Sequence, residues 1–312
     1  MQALILTGGL GTRLRPLTFN TLKPLLPISN APFLRYPIAS LRRAGVSKVL
    51  LCSSDDPAPY SELIAEEEKA GTSLICSREK VKLGTGGAIK NAEEHLKSSP
   101  FFAMNGDSLT DLDFSDMLKF HKSKKAALTL ALISMEDPSQ YGLVETDADS
   151  RIMKFIEKPS ARGHQGRALI NGGMYLMERE ILSLIPVGSE CSLERDIFPE
   201  MIRQGRPLYG YRAHVSTYWL DIGTPDKYLK GNLDVALGRM KPVLPKSVRE
   251  PIAKGSRVAP SARVAEDVIL GKNCVVKENS ILKNCVLLDG AIVGENETVQ
   301  NCILDKNCRI DL

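Results

Sequence analysis

From residue 252 onward, large aliphatic side chains return at every sixth position: Ile252, Val258, Val264, Leu270, Val276, Leu282 and Leu288. Four residues after each stands a mostly small or β-branched one: Ser256, Ala262, Val268, Cys274, Ser280, Val286 and Ile292. One large aliphatic and one compact residue per six is the pattern of a hexapeptide β-helix. Such a coil has three sides, takes six residues per side and points the aliphatic inward. Val293 and Val299 continue the period one residue early, so the phase slips after Leu288. A coil this short needs a partner surface or a cap. The tail is therefore expected to be a scaffold for homo-oligomerisation, as a dimer or tetramer.

The residues before it alternate in another way. Ala3–Thr7, Lys48–Ser53, Phe101–Met104 and Ala126–Ser134 read as strands. Phe33–Ala44, Ser61–Ala70, Gly87–Lys97 and Asp113–Lys122 read as helices. This order predicts a mostly parallel sheet covered on both faces. Ligands collect at the carboxyl ends of such strands. Gly8-Gly9 and Asp107 both follow strands, so they are expected on one rim. From Tyr141 the segments Gly142–Thr146, Ile152–Glu157, Ile170–Met177, Pro207–Tyr211 and Thr217–Leu220 are strand-like, and mixed pairing is expected. Arg179–Ile185, Leu193–Gln204 and Asp226–Leu237 read as helices. Pro242, Pro245 and Pro251 mark a linker. The division is a domain over 1–240, a linker over 241–251 and the repeat over 252–312.

Composition narrows the function. With 43% hydrophobic and 25% charged residues over 312 positions, the chain is of ordinary globular type. No apolar run reaches the ~18 residues of a membrane span. The N-terminus has no basic region ahead of its apolar run, so no signal peptide is expected. A net charge of +4 is too small to indicate nucleic acid. None of the seven cysteines forms a Cys-x-x-Cys pair. They read as reduced, buried small hydrophobes in a cytoplasmic protein. His95, His121, His164 and His214 have no metal-site spacing.

The chemistry is concentrated near the start. Leu4-Ile5-Leu6-Thr7 runs into Gly8-Gly9-Leu10-Gly11-Thr12-Arg13-Leu14-Arg15-Pro16-Leu17-Thr18, with Lys23-Pro24 following. Glycines bring backbone N–H groups against a ligand. Successive N–H groups in one concavity make an anion site. Arg13 adds a planar fork suited to phosphate oxygens, and Lys23 a second cation. A Walker A loop would need Gly-Lys followed by Ser or Thr, and a dinucleotide fingerprint a third glycine where Leu14 stands. The loop is a third type, and its simplest ligand is a polyphosphate. The plain alternative is a tight turn with an exposed arginine.

This loop resembles the signature of the sugar-phosphate nucleotidylyltransferases, Gly-Gly-x-Gly-Thr-Arg-Leu-x-Pro-Leu-Thr followed by Lys-Pro. The resemblance covers residues 2–240 and the repeat tail. It implies a Rossmann-like, mixed and mainly parallel α/β sheet with helices on both faces. It also implies a C-terminal left-handed parallel β-helix of hexapeptide repeats. The implied reaction joins an NTP to a sugar 1-phosphate and releases pyrophosphate, with Mg²⁺ as cofactor. Gly8, Gly9, Gly11 and Thr12 would wrap the triphosphate, Arg13 would hold its β- and γ-phosphates, and Lys23 would sit at the α-phosphate. Asp107, in Asn105-Gly106-Asp107, and Asp221, in Tyr218-Trp219-Leu220-Asp221, resemble the two metal-binding aspartates. Glu79 and the loop Gly84-Thr85-Gly86-Gly87 resemble the elements that contact the base. Gly142, Glu157-Lys158-Pro159 and Asn171-Gly172-Gly173 resemble the sugar-phosphate site, with Lys158 pairing with the incoming phosphate. An isolated Glu-Lys is otherwise a solvated surface pair. Ser192-Leu193-Glu194-Arg195-Asp196 also resembles a family segment and reads as structural, with Ser192 as N-cap.

The combination looks most like mannose-1-phosphate guanylyltransferases, which favours GTP. The Gly-Thr-Gly-Gly-Ala form is also similar to heptose-phosphate guanylyltransferases, and thymidylyl- or uridylyltransferases stay open. A non-catalytic regulatory subunit is the alternative of another class. Such chains commonly lose the loop arginine, the lysine or a metal aspartate, and Arg13, Lys23, Asp107, Lys158 and Asp221 are all present. A β-helix acyltransferase would need a histidine base, and residues 252–312 contain none.

Overall fold

The computed structural model describes residues 1–9, 11–53, 56–158, 166–306 and 308–312. Leu10, Pro159 and His164 lie outside the described residues. The strands are β1 (Gln2–Leu6), β2 (Pro27–Ile28), β3 (Ala31–Pro32), β4 (Lys48–Ser53), β5 (Ser73–Arg78), β6 (Phe101–Asn105), β7 (Ser108–Thr110), β8 (Leu128–Met135), β9 (Leu143–Thr146), β10 (Ile152–Ile156), β11 (Ala168–Met177), β12 (Leu208–Arg212) and β13 (Trp219–Asp221). The helices are α1 (Arg35–Arg43), α2 (Ser61–Lys69), α3 (Gly84–Asn91), α4 (Phe114–Lys124), α5 (Phe198–Arg203) and α6 (Pro225–Ala236). Contacts gather the chain into two compact units. One holds Met1–Gly9, Ser40–Ser108 and Leu112–Trp219; the other holds Leu10–Ala39, Leu109–Asp111 and Leu220–Leu312.

The first unit is built on a nine-stranded sheet in the order β10-β9-β11-β6-β1-β4-β5, with β8 pairing β11 and β12. Among the described residues it has four parallel pairings, β1 with β4 and β6, β4 with β5, and β8 with β12. It also has four antiparallel ones, β11 with β6, β8 and β9, and β9 with β10. The expected mainly parallel sheet is thus evenly mixed. The long strand β11 enters antiparallel beside β6, and β10 also runs opposite to the other strands. Helices cover both faces. Leu4, Leu50, Phe101, Ala103, Leu130 and Tyr175 share a core with Ala88 and Ile89 of α3 and Phe198 and Met201 of α5. On the alternate positions, Phe102 meets Phe114 of α4 edge-to-face at 5.3 Å. This alternation explains why Ala3, Leu4 and Ile5 of β1 are all buried: a central strand must be apolar on both sides.

Local differences from the sequence reading have physical causes. The helix expected over Gly87–Lys97 begins three residues earlier, at Gly84, and ends at Asn91, with a 3₁₀ turn over Glu93–His95. The helix expected over Leu193–Gln204 opens as a π turn, Leu193–Ile197, before α5, which carries Pro199 in its first turn. Proline has no N–H to give and is tolerated there.

In the second unit, β2 and β3 form a hairpin whose turn residues Ser29 and Asn30 have φ of 44° and 65°. Ser29 N donates to Asn232 Oδ1 of α6 at 2.8 Å, and Tyr228 of α6 donates to the Pro27 carbonyl. Asn30 Nδ2 donates to the carbonyls of Glu250 (2.7 Å) and Leu270 (3.0 Å). One asparagine thus ties the hairpin to the start of the C-terminal strands.

Those strands stack in parallel. Val258 pairs with Val276 and Val276 with Val293. Val264 pairs with Leu282 and Leu282 with Val299. Leu270 pairs with Leu287 and Leu287 with Leu304. The spacing of eighteen, then seventeen, places the slip earlier than the sequence reading did. Leu287, not Leu288, lies beneath Leu270, and Cys285 and Ala291, not Val286 and Ile292, join the interior. Asn284, at φ 48°, turns the chain in one residue fewer. Val286 faces outward in a column with Ile269 and Ile303. All three are at most 2% exposed, because α6 packs over this side.

Candidate functional site

The sequence-designated residues fall in both units. In the first, β1 and β6 are parallel neighbours, with Leu6 opposite Asn105. Gly8-Gly9 and Gly106-Asp107 therefore leave the sheet side by side, as the rim argument expects. Gly106 N donates to the Leu6 carbonyl at 2.8 Å, and a Cβ on Gly106 would lie 2.7 Å from that oxygen. Only glycine permits so close a crossing. The chain runs from β1 outward to β4 and β5, then returns to the other side of β1 as β6. A crevice opens where the order reverses in this way, at the carboxyl ends of the strands. Gly9 is exposed and has nothing near its Cβ position. Its backbone is open to a ligand.

Glu79 follows β5 on this same edge. It is 8% exposed, its N donates to the Ser53 carbonyl, and its Oε2 is 3.4 Å from Leu83 N. Burial raises its pKa above the usual carboxylate range. The glycines of the base loop lie in the first turn of α3, packed on one peptide of the 191 segment. Gly86 N and Gly87 N both donate to the Cys191 carbonyl, at 2.9 and 3.1 Å. A Cβ on Gly84, whose φ is +70°, would lie 2.6 Å from that oxygen. Thr85 Oγ1 donates to Glu194 Oε2 at 2.7 Å and accepts from Leu193 N at 2.8 Å.

Glu194 carries the arrangement across to Tyr175 and Asn171 of β11. Its Oε1 accepts from the Tyr175 hydroxyl at 3.1 Å, and Asn171 Nδ2 donates to that hydroxyl at 2.9 Å. Asn171 Oδ1 in turn accepts from Gly173 N. The register of β11 against β8 shifts between Asn171 and Tyr175, which re-aims these side chains. Gly172 is held through its carbonyl by Trp219 Nε1 at 2.9 Å. A Cβ on Gly142 would lie 3.0 Å from Glu157 Oε2. Burial first, then the Glu194 charge, raise the Glu157 pKa, while Lys158 and Arg195 oppose the rise. Lys158 is exposed, with Nζ 3.9 Å from Glu157 Oε1.

The second unit holds the remaining residues. Gly11 has φ +60°, and a Cβ there would lie 3.0 Å from Thr18 Cγ2 and 3.2 Å from Lys23 Cβ. Thr18 Oγ1 donates to the Gly11 carbonyl at 2.8 Å. The loop is thus folded back so that Gly11, Thr12, Arg13 and Lys23 belong to one tight structure. A Cβ on Gly223 would lie 3.2 Å from an Arg13 terminal nitrogen and 3.3 Å from Asp221 Oδ2. Arg13 and Asp221 thus converge on Gly223. Asp221 Oδ1 also takes a 2.6 Å ion pair from Lys227 Nζ. Among the described residues, no group of three or more His, Cys, Asp or Glu is gathered to hold a metal by itself. Asp107 and Asp221 are hard oxygen donors. Each carboxylate offers the hard oxygen donors that Mg²⁺ prefers.

The nucleotidyl transferase family model matches residues 2–237, and that of the GMPPB C-terminal domain matches residues 249–312. The chain belongs to the nucleotidyl transferase family. It is similar to the mannose-1-phosphate guanylyltransferase of Mycobacterium tuberculosis, 34% identical over 94% of this chain and 81% of that protein. It is also similar to the mannose-1-phosphate guanylyltransferase catalytic subunit beta of Danio rerio, 35% identical over 97% and 86%. Among solved structures it is similar to HddC from Yersinia pseudotuberculosis complexed with GMP-PN. The TM-score is 0.62 and the identity 30%, over 74% of this chain and 97% of that one.

For a nucleotidyltransferase, the residues that the sequence reading passed over are Glu194, Tyr175, Trp219 and the Cys191 carbonyl. Ser192 does cap its segment, accepting from Arg195 N, while Asp196 Oδ2 accepts from Ser192 N. The capping pattern was visible in the sequence. It hid the carboxylate between its two members.

Proposed function

We propose that this enzyme makes GDP-mannose and pyrophosphate from GTP and mannose 1-phosphate. The observation that carries the reading is the edge where the order of the parallel strands reverses, with Gly8-Gly9, Glu79 and Asp107 together on it. Guanine is favoured by the buried Glu79, since a carboxylate accepts the two N–H groups that guanine presents on its pairing edge. The names of the relatives point to the same base and sugar.

The nucleophile is a phosphate oxygen. Its second pKa is about 6, so it is largely ionised at neutral pH and no base has to take a proton. The barrier is the approach of a dianion to an α-phosphoryl group already negatively charged. Catalysis is positioning and charge neutralisation. The glycine-loop N–H groups cradle the triphosphate, Arg13 holds the β- and γ-phosphates that leave, Lys23 meets the charge at the α-phosphate, and Lys158 steers the incoming phosphate. Glu157 and Asn171 take sugar hydroxyls. Mg²⁺ held by Asp107 and Asp221 supplies further neutralisation when bound.

We read 1–240 as the catalytic domain, 241–251 as linker and 252–312 as a left-handed β-helix of hexapeptide repeats. The parallel pairings at seventeen to eighteen residues support this. We assign that tail to self-association, on the exposure of Ile281 (43%) and Ile292 (60%). We place the enzyme in the cytoplasm. The support is that all seven cysteines are free and that no described helix is long and apolar enough to cross a membrane.

The test is pyrophosphate release from GTP, UTP, dTTP, ATP and CTP, each with mannose, glucose and heptose 1-phosphates. GTP with mannose 1-phosphate is expected to give the largest kcat/KM, and a chelator to abolish turnover that added Mg²⁺ restores. A preference for another nucleotide would overturn the assignment of the base.

A further inference from the structure

The base-loop residues and the sugar-side residues meet on a single carboxylate. Glu194 accepts from three hydroxyls. Thr85 (2.7 Å) and Ser192 (2.8 Å) bond one oxygen, and Tyr175 (3.1 Å) bonds the other. Each donor belongs to a different element: the first turn of α3, the 192 cap and β11. Behind Tyr175 the chain of bonds continues through Asn171 to Gly173 N. A Cβ on Gly173 would lie 2.6 Å from Asn105 Nδ2, so the wall is packed directly against the end of β6. Tyr175 is fully buried, so its hydroxyl depends on these partners. Hydrogen bonds to an ionised acceptor are shorter and stronger than neutral ones. No packing demand explains a carboxylate here.

We propose that Glu194 is a positioning residue that sets the base loop and the sugar wall in one fixed relation, so that each substrate is bound in a site the other's contacts have helped to shape. This rests on the function proposed above. Loss of Glu194 would release Thr85 and Tyr175 together, and both substrates would feel it. Glu194 also faces Glu157, the carboxylate assigned to sugar hydroxyls. The charged groups facing Glu157 are Glu194, Lys158 and Arg195. After burial, the Glu194 charge beside it raises the Glu157 pKa, so Glu157 takes a proton more readily than it otherwise would. Its useful, ionised form is therefore lost at a higher pH than without Glu194.

The deciding variant is Glu194→Gln, which keeps size and one acceptor oxygen but removes the charge. Glu194→Ala removes the hub, with Tyr175→Phe as the single-bond comparison. Circular dichroism and thermal melting establish that each variant is folded. Glu194→Ala is expected to lose about ten- to hundredfold in kcat/KM, with KM raised for both the nucleotide and the sugar phosphate. In Glu194→Gln the acid limb of the sugar-phosphate KM should move to lower pH, because Glu157 is relieved of a neighbouring negative charge. The substrate's own phosphate titration is the same in both enzymes and cancels. A folded Glu194→Gln with an unmoved acid limb, or a Glu194→Ala that changes KM for one substrate alone, overturns the proposal. The wild type is assayed in parallel. If it turns over no nucleotide, the functional reading itself has failed; if it turns over normally beside unshifted variants, only the role of Glu194 has.

Discussion

At the scale of the single residue, the N-terminal loop was legible because its chemistry is written in residue types. Gly11 was expected to supply unusual backbone, and it sits at φ +60° against Thr18 and Lys23. Arg13 was expected to hold phosphates and Asp221 a metal ion, and both side chains approach Gly223. Arg13→Ala and Lys23→Ala are expected to cut kcat by about 10²–10³-fold, the usual cost of one stabilising donor. Equilibrium nucleotide binding should fall much less. Isothermal titration beside steady-state kinetics checks this, and an unchanged kcat in Lys23→Ala removes that residue from the mechanism. Glu194 was not legible. Nothing in Ser-Leu-Glu-Arg-Asp says that hydroxyls at positions 85 and 175 will be brought to its carboxylate, because that is a fact of tertiary contact.

At the scale of the element, strands and helices with strong patterns were found close to their ends, and short ones were missed. Lys48–Ser53 was read to the residue. The β2–β3 hairpin and the three residues of β7 were not identified, because short pieces carry little period; β5 was missed because its apolar Leu74-Ile75-Cys76 is flanked by polar Ser73, Ser77 and Arg78. The tail shows how strands can be found and their register misplaced. They pair at eighteen, then seventeen residues, and the dropped residue falls at the Asn284 corner, before Leu287 rather than after Leu288. A one-residue error exchanges inside for outside, which is why Leu288, rather than Leu287, was expected to point inward. Helix α4 offers a quantitative check. Asp113 Oδ1 accepts from Ser115 N and Asp116 N at 2.9 and 3.0 Å. Asp113→Ala should cost about 1 kcal/mol, read as a lower urea midpoint with unchanged slope. Because α4 packs on Phe102 of β6, any larger loss would mean that the cap also steadies the strand leading to Asp107.

At the scale of the whole molecule, the alternation of strands and helices gave the fold class and mixed pairing from Tyr141 onward, but not that β11 would be the strand set antiparallel beside β6. That depends on which edge the chain returns to, and local pattern does not record it. The outer column Ile269, Val286 and Ile303 is already covered by α6, so self-association has to use other sides of the tail. Ile281→Glu with Ile292→Glu is expected to lower the mass measured by multi-angle light scattering while leaving turnover in place. A wild type that is monomeric at micromolar concentration would end the assignment. One further consequence follows from the segments that Asn30 and Tyr228 bind together. The loop of Arg13 and Lys23 is synthesised well before residues 220–312, which complete its compact unit. At ordinary translation rates that leaves a wait of about 10–40 s for the ~200 intervening residues. During that interval the nascent chain carries Arg13 and Lys23 without the framework that aims them.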